Sequence, residues 1–308
     1  MKHATAAAAP PGGAGVPDPF QHPSTIDLVR RALAEDIGRG DITTDAAIPA
    51  DAGASGRIIA REAGVIAGLP VAALAFRLLD PAVRIEALVA DGVRVEAGAA
   101  LARIEGSARA LLTAERTALN FLGRLSGIAT LAARCAAAMA GTRAVVVDTR
   151  KTTPGLRALE KYAVRMGGAA NHRAGLDDGI LIKDNHIAAA GGVREAILRA
   201  RAHAPHLLKI EVECEDEQQV SDAVESGAEV ILLDNMPIER LRANVVWIRT
   251  HAPLTIVEAS GGIGTDPERL AAVAATGVDL ISLGALTHSA PTLDVSLEFD
   301  SQRPAAVE

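Results

Sequence analysis

The sequence predicts an α/β protein, with a small N-terminal α+β domain followed by an α/β barrel, full or incomplete. Three observations lead there. Six short Val/Ile/Leu runs alternate with amphipathic stretches over the second half of the chain. Each run ends in polar or glycine residues. The first half instead carries short β-like stretches punctuated by glycine turns.

The elements follow in order. Residues 1–23, MKHATAAAAPPGGAGVPDPFQHP, are rich in Ala, Pro and Gly. They lack the apolar stretch of a signal peptide and read as a disordered tail. Order is expected from Ser24, where Ser24 and Asp27 resemble a capping box ahead of Ile26, Val29, Leu33 and Ile37 at helical spacing. Gly38 and Gly40 end that helix. Strand-like stretches follow at Arg57–Ala60, Val65–Ala67, Val83–Leu88 and Ala100–Ile104, with a helix at Val71–Leu79. From Ser107 to about Ala140 the pattern is a long helix, with Gly123 and Gly127 expected to break or kink it.

The buried runs are Ala144–Val147, Ile180–Ile182, Leu208–Val212, Val230–Leu233, Leu254–Val257 and Leu280–Leu283. Continuous apolar runs suit strands covered on both faces of a parallel sheet, and the helices between them suit right-handed crossovers. A doubly wound open sheet is the competing architecture. Gly261-Gly262-Ile263-Gly264 matches neither dinucleotide nor Walker loops.

Composition narrows the function. The formal charge of −7 argues against a general nucleic-acid binder, and 2% aromatics cannot build a base-stacking platform. No apolar run is long enough for a membrane span. Cys135 and Cys214 form no CxxC pair, so a reducing, cytoplasmic compartment is the default.

The chemistry is expected at the strand ends, because barrel active sites form on the rim where strands end. There the chain places Asp148-Thr149-Arg150-Lys151, Lys183-Asp184-Asn185-His186, Glu211 and Glu213, Asp234-Asn235, Glu258 with Ser260-Gly261-Gly262, and Gly284. Arg150, Lys151, His172, Arg173 and Lys183 form a basic cluster in an acidic chain. A solvated face is the plain explanation. Positions directly after apolar runs favour a pocket for a ligand with several negative charges, at about 1.5–3 kcal/mol per charge-assisted hydrogen bond. Ser260-Gly261-Gly262 precedes a helix and lets backbone amides approach a phosphate. Glu213 and Asp234 either hold magnesium through water and ribose hydroxyls, or neutralise the lysines. Arg116 falls in line with Leu112 and Leu119 on a stripe expected to be buried. It reaches a ligand there, or pairs with a neighbour such as Glu115.

The residues quoted above sit in an ordered series. Glu35-Asp36-Ile37-Gly38, Gly40 to Thr44 and Glu115-Arg116 precede Asp148 to Arg157 and Glu160 to Val164. Asn171-His172-Arg173, Leu181 to His186, Glu211-Val212-Glu213, Leu233 to Met236, Glu258 to Gly262 and Ser282-Leu283-Gly284 follow. This series resembles the quinolinate phosphoribosyltransferase family from about Ser24 to Phe299.

The resemblance implies a small N-terminal α/β sandwich over 24–127 and an incomplete, six- to seven-stranded α/β barrel over 128–289, with 290–308 packing back on the first domain. It implies a homodimer with a shared active site, in which Arg116 reaches quinolinate across the interface. Thr149, Arg150, Lys151, His172, Arg173 and Lys183 would hold quinolinate and phosphoribosyl pyrophosphate. Glu213 and Asp234 would sit at the ribose and magnesium. Ser260, Gly261, Gly262, Ser282 and Gly284 would take the 5′-phosphate, and Lys151, Glu213 and Asp234 would be catalytic. A relative of the ModD-type proteins, using another aromatic acid, is the alternative. A Schiff-base aldolase using Lys151 or Lys183, and a non-catalytic phosphosugar sensor, are further readings.

Overall fold

The computed structural model describes residues 19–300. The chain divides into two compact units, one of residues 19–131, 158–168 and 290–300 and one of 132–157 and 169–289.

The first unit opens with α1 (Pro23–Ile37) and α2 (Ile42–Ala47). Helix α1 starts one residue before the expected capping box. His22 is its N-cap, and Pro23 takes the first turn, where a missing N–H costs nothing. The expected disordered tail also ends early: of residues 19–23, Phe20 is buried and meets Tyr162 edge-on at 4.7 Å. The rest of that tail lies outside the described residues.

Next come β1 (Gly53–Ala60), β2 (Gly64–Val65), α3 (Leu69–Leu79), β3 (Arg84–Ala87), β4 (Arg94–Val95), β5 (Ala100–Ser107) and α4 (Ala108–Ala138). Strands β1, β5 and β3 pair antiparallel. Ile58 and Ile104 are buried on one side of this sheet, whereas Arg57, Arg103 and Glu105 are exposed.

Helix α4 runs for 31 residues without the expected break. Its two glycines serve a close approach instead. A Cβ at Gly127 would overlap the Pro291 carbonyl, and one at Gly123 would come within 2.7 Å of the Leu293 carbonyl oxygen. Leu293 donates its N–H to the Gly123 carbonyl at 3.0 Å.

The second unit holds β6 (Val145–Val147), β7 (Ile180–Ile182), β8 (Ile210–Cys214), β9 (Val230–Asp234), β10 (Ile256–Ser260) and β11 (Leu280–Ser282), all parallel. Their order is β6-β11-β10-β9-β8-β7, with β6 and β7 at the two ends, so this is an incomplete α/β barrel. An isolated parallel bridge sets Ala170 against Val147 on the outer side of β6. The run expected at Leu254 begins two residues later. Leu254 is 95% exposed in the preceding turn, while Val257 is fully buried.

Helix α5 (Arg157–Met166) follows β6. Residues 158–168, which hold all of this helix but Arg157, belong to the first unit, against the expectation that they were barrel. The reason is a buried polar anchor. Glu160 is fully buried and accepts from Arg124 Nη2 at 2.7 Å, and Arg124 also donates to the Ala290 carbonyl at 3.1 Å. Tyr162 donates to Asp91 at 2.9 Å. The remaining crossover helices are α6 (Asp184–Ala190), α7 (Val193–His203), α8 (Glu217–Glu225), α9 (Ile238–His251), α10 (Pro267–Ala274) and α11 (Ala285–His288). Last comes β12 (Val295–Phe299), which pairs antiparallel with β1 in the first unit. Residues 301–308 of the expected C-terminal return lie outside the described residues.

Candidate active site

Parallel strands bring their C-terminal ends to one edge, and a cavity of about 340 Å³ opens there within the second unit. Thr149, Arg150 and Lys151 enter it after β6, and His172 and Arg173 after the Ala170 bridge. Leu181 and Lys183 come from β7, Glu213 from β8, and Leu232, Asp234 and Asn235 from β9. Glu258, Ser260, Gly261 and Gly262 come from β10, and Ser282 from β11. Alternation explains the choice. Successive strand residues face opposite ways, so Leu181 and Lys183, Leu232 and Asp234, and Glu258 and Ser260 share the inner face.

Twelve of the expected site residues thus meet in one cavity, and two do not line it. Gly284 packs beneath the Lys151 stem, where a Cβ would lie 3.0 Å from Lys151 Cδ. Thr287 also donates to the Lys151 carbonyl at 2.7 Å.

Arg116 is corrected. It is exposed, because the buried stripe of α4 is Leu111, Ala114, Ala118, Leu122 and Leu125. Arg116 and the exposed Asn120 lie on the opposite side of the helix. Burial raises the pKa of the neighbouring Glu115, and the Arg116 charge partly offsets this.

The basic cluster also has a finer structure than its sequence implied. Asp148 is fully buried and accepts from Asn171 Nδ2 at 2.6 Å and from the His172 N–H at 2.9 Å. It thereby fixes the segment that carries His172 and Arg173. The Arg173 N–H donates to His172 Nδ1 at 2.7 Å, and His172 Nε2 lies 3.1 Å from Glu211. The arginines and lysines supply the fixed positive charge. Burial and the nearby Arg150 charge lower the Arg173 pKa, an effect opposed by Glu211 and Asp178. Lys183 makes a short ion pair with the buried Glu213.

Glu258, expected on the rim with Ser260, Gly261 and Gly262, lines the cavity as well. It is 1% exposed, with one carboxylate oxygen lacking a hydrogen-bond partner. Burial and then the Glu211 charge push its pKa up. The apolar Leu181 and Leu232 were missed as cavity-lining residues, because core leucines carry no sequence mark of a cavity wall.

Two groups offer metal donors. His172, Glu211 and Glu258 each bring one ligand atom within 4.8 Å of the others. That set includes a nitrogen and suits transition metals. Glu213 and Asp234 offer only oxygens, the chemistry that magnesium prefers alongside water and substrate phosphates.

A rim of arginine and lysine beside carboxylates, facing a Ser-Gly-Gly loop on an incomplete α/β barrel, defines an anion-binding barrel domain suited to a phosphosugar. Its family follows from comparison with known proteins. The family models for the N-terminal and C-terminal domains of quinolinate phosphoribosyl transferase match residues 41–126 and 128–298, and the chain belongs to that family. A probable nicotinate-nucleotide pyrophosphorylase [carboxylating] of Synechocystis is 47% identical over 87% of this chain and 90% of its own length. The corresponding Mycobacterium leprae protein is 46% identical over 89% of this chain and 96% of its own. The solved structure of the nicotinate-nucleotide pyrophosphorylase from Francisella tularensis superposes with a TM-score of 0.85 at 38% identity, covering 92% of this chain and 99% of that one.

Proposed function

We propose that this chain transfers ribose 5-phosphate from phosphoribosyl pyrophosphate to the ring nitrogen of quinolinate, giving nicotinate mononucleotide, pyrophosphate and CO2. The observation that carries this reading is the cavity itself, where four fixed cations, three carboxylates and a glycine loop converge in a chain of this family.

In this reading the quinolinate nitrogen attacks C1 of the ribose as the bond to pyrophosphate breaks. Positive charge grows on the sugar and negative charge on the leaving group. Lys151, Arg150, Arg173 and Lys183 stabilise the anionic groups, and Glu213 and Asp234 face the sugar. The pyridinium formed then accepts the electron pair left at C2 as the adjacent carboxylate departs as CO2, and C2 takes a proton from water. Positioning dominates, since little acid–base work is required. Magnesium, held by Glu213 and Asp234 through water, would neutralise pyrophosphate. Ser260, Gly261, Gly262 and Ser282 would receive the 5′-phosphate, and Thr149 would border the quinolinate cations.

The names of the relatives support quinolinate over another aromatic acid, since they specify the carboxylating reaction. The reducing cytoplasm suits a chain whose Cys135 and Cys214 are both buried thiols. Among the described residues no helix is long and apolar enough to cross a membrane.

The test is direct. Purified protein with quinolinate, phosphoribosyl pyrophosphate and magnesium should release CO2 and form nicotinate mononucleotide. Nicotinic acid, which leaves a cation unpaired, should be far poorer. Equal turnover of the two acids would refute the reading.

The proposal includes a homodimer in which Arg116 of one subunit serves quinolinate bound by the other. The exposure of Arg116 on the polar side of α4 supports it. Inactive Arg116→Ala and Lys183→Ala chains, mixed and allowed to exchange, should recover roughly a quarter of wild-type activity, because about half the dimers would be mixed with one intact site each. Confirmed exchange without recovery would place Arg116 outside a shared site.

A further inference from the structure

We propose that Asn235 is a positioning residue that holds the Asp234 carboxylate and the Ser260–Gly262 loop at the spacing of a ribose 5-phosphate. The inference rests on the transfer reaction proposed above and deepens it.

Asn235 is the only non-glycine residue with a positive φ, 52°, among the described residues. Glycine would adopt that backbone without strain, and asparagine is among the few side chains that tolerate it. A side chain kept there points to work done by its amide. Asn235 Nδ2 donates to Asp234 Oδ2 at 2.5 Å, and its backbone N–H donates to the Ser260 carbonyl at 3.0 Å. Asp234 and Ser260 are direct partners in the parallel register of β9 and β10.

The side chain also rests against the next loop residue. A Cβ built on Gly261 would come 2.5 Å from Asn235 Cγ and 2.7 Å from its backbone nitrogen. One asparagine therefore fixes the orientation of the carboxylate that faces the sugar and forms the wall against which the phosphate loop packs. Ribose 5-phosphate carries hydroxyls at one end and a dianion at the other. A rigid link between the two recognising parts rewards a ligand of that length, and quinolinate, held by the cations across the cavity, does not use it.

Asn235→Gly keeps the backbone conformation and deletes the link, so folding and its effect separate. It should retain the wild-type Tm. It should raise both KM for phosphoribosyl pyrophosphate and the calorimetric Kd for ribose 5-phosphate by about tenfold, the scale of one lost polar interaction. The Kd for quinolinate should stay within about twofold. An Asn235→Gly chain with unchanged ribose 5-phosphate binding, or with equal weakening of quinolinate, overturns the proposal. If the wild-type protein binds ribose 5-phosphate but never turns over quinolinate, the reaction assignment fails, and the binding measurement still decides the role of Asn235.

Discussion

The two larger sheets of this molecule use charge in opposite ways. In the antiparallel sheet of the first unit, Arg57, Arg103 and Glu105 lie within strands, alternate with core residues and face solvent. In the parallel sheet of the second unit, strand interiors such as β8 and β9 are buried throughout, and charges gather on the inner face toward the C-terminal ends. A charge on an open sheet face costs almost nothing and carries little information. A charge beside a buried parallel strand loses hydration, so it must be paired or used. The first unit buries the pair of Arg124 with Glu160, which holds α5. The second directs its charges into a cavity.

That contrast can be tested from either side. The largest expected effect is in the first unit. Glu160→Ala leaves Arg124 without its buried carboxylate and should cost about 3–5 kcal/mol, read by denaturant unfolding. Quinolinate affinity of the fraction still folded should change little. A loss below about 1 kcal/mol would show that the pair is replaceable by water.

Lys151→Ala should do the reverse. It should lower kcat/KM by roughly 10²-fold or more, the scale of one lost electrostatic stabiliser. The unfolding midpoint should hold, because the Lys151 main chain keeps its bonds to Thr287 and Thr149. Near-normal turnover in a folded variant would make Lys151 a solvated surface residue.

The smallest effect concerns pH. The folded Glu258 carboxyl is raised from 4.5 to about 7, by burial first and the Glu211 charge second. The folded state therefore binds more protons than the unfolded state across that window. Its stability should fall as pH rises from about 4.5 to about 7, relative to Glu258→Gln, which lacks the titration. Parallel stability curves for the two proteins over that range would show that Glu258 is charged throughout.

Much of the site was legible in the chain because parallel strands impose a rule. Every run ends on the same edge, so Arg150, Lys183, Glu213, Asp234 and Ser260 could be assigned to one rim from order alone. Glu258 on β10 belongs to the same rim. The contacts of His172 were not legible, since they involve the Arg173 N–H and Glu211, which is 39 positions away. Arg116 misled because Leu119 is buried and Leu112 half-buried, whereas Arg116 itself falls on the exposed side of the helix.

By itself the sequence determined the strand–helix alternation, the polar strand ends and the charge types available at the rim, because these follow from local hydrophobic periodicity and chain order. Tertiary structure decided the rest. It showed that Gly123 and Gly127 admit a returning segment, that α5 joins the first unit, and that the Asn235 N–H reaches the Ser260 carbonyl, since each depends on groups brought together from distant positions.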